Sequence, residues 1–281
     1  MADTIQTFMH STIQHGPENN RIYLMDLCMD DLPDMVEALI ELAQSRRYSK
    51  IITKVPVSAK PDFDKAGFVC EAVVPNFYRG KESAVFLARY FCRERARPIT
   101  MLDRPLILER AIRRSQTPQD TCHALPVPCE IRKATPSDTQ PMAQLYRDVF
   151  GTYPFPIDDP DYLKQTMGSH VEYFCATHRE KIVAQASCEM DVLKSNVELT
   201  DFATHPDWRG HGLAYTLLME MQKRMIAKRL FTGYTIARAL SMGMNMTFAK
   251  AGYTFGGTLN NNTQISGQIE SMNVWYRDLS P

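Results

Sequence analysis

An acid, an arginine and a run of small residues share one short stretch of this 281-residue chain. It reads Val197-Glu198-Leu199-Thr200-Asp201-Phe202-Ala203-Thr204-His205-Pro206-Asp207-Trp208-Arg209-Gly210-His211-Gly212-Leu213-Ala214. The pattern predicts a strand running into a turn and then a helix. Small residues at the turn let a ligand approach the backbone, and the free N–H groups of a helix N-terminus bind phosphate. The alternative is a tight strand-to-helix turn that holds nothing. No Gly-Lys-Ser/Thr follows and the glycines do not spell G-x-G-x-x-G, so neither common nucleotide loop is present. Two acids on the strand, Glu198 and Asp201, are candidates for moving a proton. Alternation places Glu198 on one face with Thr200 and Phe202, and Asp201 on the other with Leu199 and Ala203. Carboxylates on both faces of a buried strand must be paired or wet, and either could simply bond backbone or an arginine.

Alternating helices and strands position this stretch. A strand is expected at Glu130 to Lys133, then helices at Thr139 to Phe150 and Asp159 to Met167. Strands follow at Tyr173 to Thr177, Ile182 to Asp191 and Val197 to Thr204. The helix from Leu213 to Arg229 carries Leu213, Ala214, Leu217, Leu218, Met221 and Met225 on one face. A strand at Thr232 to Arg238, a short helix at Met244 to Lys250 and strands at Tyr253 to Leu259 and Met272 to Tyr276 complete the part. Asn260, Asn261, Asn262 and Thr263 read as a polar turn before the last strand.

Upstream, Pro98, Pro105, Pro118, Pro126 and Pro128 resist long regular structure, although Ile107 to Arg114 can form a short helix. The chain therefore divides into 1–115, a linker at 116–129, and 130–281. The first part contains an echo of the second: Phe63-Asp64-Lys65-Ala66-Gly67-Phe68 against Phe248-Ala249-Lys250-Ala251-Gly252-Tyr253. A strand at Ser49 to Val57 precedes the first copy, as Thr232 to Arg238 precedes the second. Val69 to Pro75 and Ser83 to Tyr90 follow as strands, and Met35, Leu39 and Leu42 mark a helix. The shared order favours duplication.

Arg209-x-x-Gly212-x-Ala214 resembles the R/Q-x-x-G-x-G/A signature of the GNAT acetyltransferase superfamily. Asn245, Phe248 and Ala251-Gly252-Tyr253 resemble its second motif. The resemblance covers about residues 130–281 and implies an α/β (mixed-sheet) GNAT acyl-CoA N-acyltransferase fold, with a degenerate GNAT-like half before it. Over the whole chain the sequence is most similar to the β-lysine N-acetyltransferases. Leu199 to Thr204, Tyr234 to Ala239 and Ile269 to Tyr276 carry that narrower likeness. It implies transfer of acetyl from acetyl-coenzyme A to the side-chain amine of β-lysine, giving a compatible solute.

The resemblance also implies roles. Arg209, Gly210, His211, Gly212, Leu213 and Ala214 would hold the pyrophosphate of acetyl-coenzyme A, and Phe202, Ala203 and Thr204 its thioester arm. Asn245 and Phe248 would complete the cofactor site. Glu198, eleven residues before Arg209, resembles the family's general base, with Asp201 the second candidate. A tyrosine often stands at position 248 to protonate the departing thiolate; phenylalanine cannot, and Tyr253 and Tyr276 are possible substitutes. For β-lysine, Arg238 would grip the carboxylate and Glu189 or Glu270 an amine. Other acceptors stay open, among them another small amine or a protein lysine, as does a non-catalytic acetyl-coenzyme A sensor. Where the first half would carry its own cofactor turn, Asp30, Asp31 and Asp34 would repel phosphate.

Composition narrows the partners. Thirty-two basic residues balance 32 acidic ones, which argues against broad attraction to nucleic acid or an anionic membrane. No apolar run approaches the roughly 20 residues of a membrane span, and the first twenty residues lack a signal-peptide core. Seven cysteines without a C-x-x-C pair suit the cytoplasm. Cys175 and His178 lack a second pair at ligand spacing, so no metal is expected. The sequence indicates no oligomeric state.

Overall fold

The structure, a computed structural model, describes residues 3–97, 103–115 and 129–280. The expected linker lies outside the described residues up to 128. The first half runs β1 (Thr4–Phe8), β2 (Ser11–Gly16), β3 (Arg21–Asp26), α1 (Asp34–Ser45), β4 (Lys50–Pro56), α2 (Lys60–Lys65), β5 (Val69–Tyr78) and β6 (Glu82–Tyr90). A short α3 (Arg93–Ala96) and α4 (Asp103–Ser115) follow. The second half begins with β7 (Glu130–Lys133), α5 (Thr139–Val149), α6 (Pro160–Met167), β8 (Val171–His178), β9 (Lys181–Asp191) and β10 (Asn196–Thr204). It ends with α7 (Leu213–Ala227), β11 (Thr232–Arg238), α8 (Met242–Lys250), β12 (Thr254–Ile265) and β13 (Gln268–Asp278). Among the described residues no helix is long and apolar enough to cross a membrane.

All thirteen strands form one sheet, ordered β1-β2-β3-β4-β6-β5-β12-β13-β11-β10-β9-β8-β7. Read inward from either side, β1-β2-β3-β4-β6-β5 and β8-β9-β10-β11-β13-β12 have the same order. The parallel pair β3–β4 matches the parallel pair β10–β11. The six-residue echo closes the same way in both halves. Phe68 N–H donates to the Phe63 carbonyl at 3.2 Å, and Tyr253 N–H to the Phe248 carbonyl at 3.0 Å. This shared topology is the structural form of the duplication.

Apolar spacing decides which helix face is buried. Leu213, Leu217, Leu218, Met221 and Met225 of α7 pack on Val197 and Leu199 of β10. On the other side of the sheet, Met142 and Leu145 of α5 and Leu163 of α6 cover Val171, Tyr173 and Cys175. In the first half, Met35, Leu39 and Ala43 of α1 pack against Ile22, Leu24 and Ile51. Helix α4 lies on α8, with Ala111 in the α7 core.

The halves join where β5 meets β12. A Cβ on Gly257 would stand 2.1 Å from the Glu71 carbonyl oxygen, so the backbones can approach only at glycine. Beyond it, Asn260 to Thr263 are not a turn before the last strand but part of β12. Their polarity serves a buried seam between the halves. Arg21 donates to the Asn262 carbonyl at 2.6 Å, Lys50 to the Asn260 carbonyl at 2.7 Å, and the Asn261 side-chain amide to the Arg95 carbonyl at 2.9 Å. The first three strands are short and were not foreseen in the sequence; β1 and β2 are rich in Thr, Gln and His.

Candidate active site

Strand β10 pairs with β11 only from Asn196 opposite Thr232 to Glu198 opposite Tyr234, whereas β11 pairs with β13 on to Arg238. Beyond Glu198 the two parallel strands part. On the β9 side the register slips between Thr200 and Ala203, and Asp201 takes φ +55°. This bulge breaks the expected alternation. Asp201 and Ala203 lie on the Glu198 face, not opposite it. Asp201 accepts from Ser187 Oγ and Tyr153 Oη at 2.5 Å each, and Ala203 packs with the α5 core. Phe202 turns instead to the helix side, its ring 5.6 Å from that of Phe248.

Two cavities open where the strands part. One, of about 580 Å³, is lined by Phe202, Thr204, Arg209, Gly210, Gly212, Leu213, Ala214 and Phe248. Trp208, Met244 and Thr247 line it too, which sequence reasoning missed. Gly210 and Gly212 take φ +81° and +75°, and no side chain caps α7. The first N–H groups of an α-helix lack intrahelical acceptors, and here they open at a glycine N-cap, the arrangement that receives phosphate oxygens. These residues fit the pyrophosphate and arm of a coenzyme A thioester.

The second cavity, of about 520 Å³, holds Glu189, Glu198 and Asp201 from the second half of the chain. Its other wall comes from the first half: Gln14, Arg21, Tyr23 and Lys54. Tyr153, Thr200, Asp201, Ile236, Ile265 and Met272 line both cavities, so the two meet there. Glu198 stands directly opposite Glu189 across β9–β10, and opposite Tyr234 across β10–β11. The pseudo-equivalent position of β3 is Tyr23, opposite Ile52, so the first half carries no acid there.

Crowding and burial set the proton affinities. Burial pushes the Glu198 carboxyl up, while the Lys54 ammonium and the Tyr234 hydroxyl pull it back. Burial, then the charges of Asp201 and Glu198, push Glu189 well above the usual carboxylate range. Burial also raises Asp201, against the two hydroxyl bonds. Acids raised this way hold a proton to higher pH than free carboxylates do, as a general base for an amine requires.

Several candidate residues are placed elsewhere or are already partnered. Arg238 makes a two-pronged ion pair with buried Glu270, at 2.9 and 2.6 Å. Each answers the other's charge; neither lines the acid cavity, while Arg238 lines the cofactor cavity. Asn245 is fully buried and lines neither cavity. It donates to the Arg238 carbonyl at 3.0 Å and accepts from Trp275 at 2.9 Å, which fixes α8 to the strands. Ala203 points away from the cofactor cavity because of the bulge. His211 lies outside the lining of that cavity, with its ring 6.2 Å from Trp208. Tyr253 and Tyr276 line neither cavity; Tyr153 is the tyrosine at the meeting place. Cys175 is buried in the α5 core, and the His178 ring packs 4.8 Å from Trp208.

The profile of the Acetyltransferase (GNAT) family matches residues 139–242. A beta-lysine N(6)-acetyltransferase of Methanococcus maripaludis is 37% identical over 95% of this chain and 96% of its own length. A second, from Methanosarcina mazei, is 30% identical over 88% of this chain and 97% of its own. The N-acetyltransferase YodP of Bacillus subtilis is 32% identical over 88% of this chain and 87% of its own.

Proposed function

The chain belongs to the GNAT acetyltransferase family, and from that premise we propose that it acetylates the side-chain amine of β-lysine. It is an acetyl-coenzyme A-dependent N-acetyltransferase. One observation carries the choice of acceptor. The cavity that meets the cofactor cavity presents Glu189, Glu198 and Asp201 together with Lys54. β-Lysine brings two ammonium groups and one carboxylate, the complementary set of charges. The two near-full-length relatives named for this reaction support the same reading.

The primary amine of the acceptor has a pKa near 10.4 in water and arrives as an unreactive ammonium. Glu198, its carboxyl raised by burial, takes that proton through a water. Asp201, where the cavities meet, holds the incoming nitrogen, and Glu189 faces the amine that does not react. Nitrogen then bonds to the thioester carbon and gives up a second proton to water, and the carbon–sulfur bond breaks with its electron pair going to sulfur. A thiol with pKa near 8.5 leaves as thiolate and takes a proton from water, so no tyrosine is needed at position 248. The Arg209–Ala214 turn and the start of α7 bind the pyrophosphate. The product keeps one carboxylate and one ammonium. That zwitterion suits a compatible solute of the cytoplasm.

A thiol-release assay with acetyl-coenzyme A and β-lysine, lysine or spermidine tests the assignment. The highest kcat/KM is expected for β-lysine. Preference for spermidine, or no turnover of β-lysine, contradicts it.

A further inference from the structure

We propose that Lys54, from the first half of the chain, is the residue that recognises the acceptor's carboxylate. The inference rests on the β-lysine reading and assigns to the duplicated half a part in substrate selection. β4 and β10, well apart in the strand order, line the same cavity, and Lys54 near the end of β4 reaches the Tyr234 hydroxyl at 3.2 Å. Its ammonium also stands over the rings of Phe77 and Tyr234, at 5.6 and 5.5 Å. Aromatic faces and a hydroxyl hold a cation in place without neutralising it.

Of the other cations of this cavity wall, Lys194 is neutralised by carboxylates, and Arg21 commits both Nη groups to neutral oxygens, most of them in the seam between the halves, with its Nε left without a hydrogen bond. Arg21 donates to the Asn262 carbonyl at 2.6 Å and to Thr263 Oγ1 at 3.2 Å. Lys194 pairs with Asp26 at 2.6 Å and Asp191 at 3.0 Å. Lys54 feels Glu198 and Glu189 electrostatically but closes on neither; its hydrogen bond goes to a hydroxyl. A cavity built for a plain di- or polyamine gains nothing from an ammonium in its wall, since like charges repel. The same ammonium is attractive for an acceptor that ends in a carboxylate. Seated at Lys54, that carboxylate leaves the extended side chain to run along β10 towards Thr200 and Asp201, where the cavities meet.

The test compares two acceptors that differ only in the carboxylate: β-lysine and 1,4-diaminopentane. Lys54 also tunes Glu198, so any single rate mixes two effects, whereas the ratio of kcat/KM values cancels the shared one. In Lys54→Met the ratio of kcat/KM for β-lysine over 1,4-diaminopentane is expected to fall about 10- to 100-fold, mostly through the KM for β-lysine. Lys54→Arg is expected to restore most of it. An unchanged ratio in Lys54→Met, with both acceptors affected alike or not at all, overturns the assignment. Wild-type enzyme that ignores β-lysine while using other amines contradicts the reading beneath it instead. The two failures are therefore distinct.

Discussion

Tyr153 Oη and Asp201 Oδ1 lie 2.5 Å apart where the two cavities meet, and Ser187 Oγ holds the other Asp201 oxygen at the same distance. These bonds oppose the burial that raises the Asp201 carboxyl. In Tyr153→Phe one of them is lost, and the carboxyl rises further. The acidic limb of the kcat/KM profile therefore moves to higher pH. At pH 7 a loss of about tenfold is expected, with recovery as pH rises. A pH-independent loss of the same size indicates a packing role only.

Glu198→Gln removes the proposed base and keeps the shape. A loss of about 10²- to 10⁴-fold in kcat/KM is expected, with acetyl-coenzyme A binding unchanged by calorimetry. The acidic limb due to this carboxyl should vanish from the profile. A full rate in Glu198→Gln removes the base assignment.

Gly212 tests the cofactor turn. Its φ of +75° is a region that a side chain with a Cβ avoids at a cost of about 1–2 kcal/mol. An added Cβ meets no atom within 4 Å, so the effect is on the backbone rather than a clash. Gly212→Val should rotate the α7 N–H groups and raise the KM for acetyl-coenzyme A about tenfold. Asparagine, which tolerates this conformation, should cost less. Equal KM values for wild type and Gly212→Val contradict a phosphate-binding turn.

Much of this was legible in the chain. Thr232 to Arg238 and Glu130 to Lys133 were read to the residue. The six-residue echo pointed to a duplication that the strand order bears out. The bulge was not legible: one residue with positive φ leaves no compositional trace, yet it moves Asp201 and Ala203 to the other face. Lys54 was missed for another reason. A lone lysine in a strand acquires meaning only when tertiary packing brings it against Tyr234, far along the chain. Nor did the sequence show that Arg238 and Glu270, far apart in the chain, pair with each other.

Glu189 links function to stability. Its carboxyl is raised by burial and by Asp201 and Glu198, so the folded state holds its proton to higher pH than the unfolded chain does. Stability from this group is fully present below the unfolded pKa of about 4.3 and is lost as pH rises through the raised folded value. Glu189→Gln avoids that loss. Thermal melts should show its Tm advantage over wild type small near pH 4 and growing towards pH 8, together with a higher KM for the amine. A Tm difference that does not change with pH contradicts a raised carboxyl.

The most direct measurement is the site of acetylation. Enzyme, β-lysine and acetyl-coenzyme A carrying a ¹³C-labelled acetyl group are combined, and the product is read by NMR. With the carboxylate held at the far wall and the side-chain amine at the meeting of the cavities, one product is expected, acetylated on the side-chain nitrogen alone. Label on the β-amine, a mixture of both, or unmodified β-lysine would contradict the proposed placement of the acceptor.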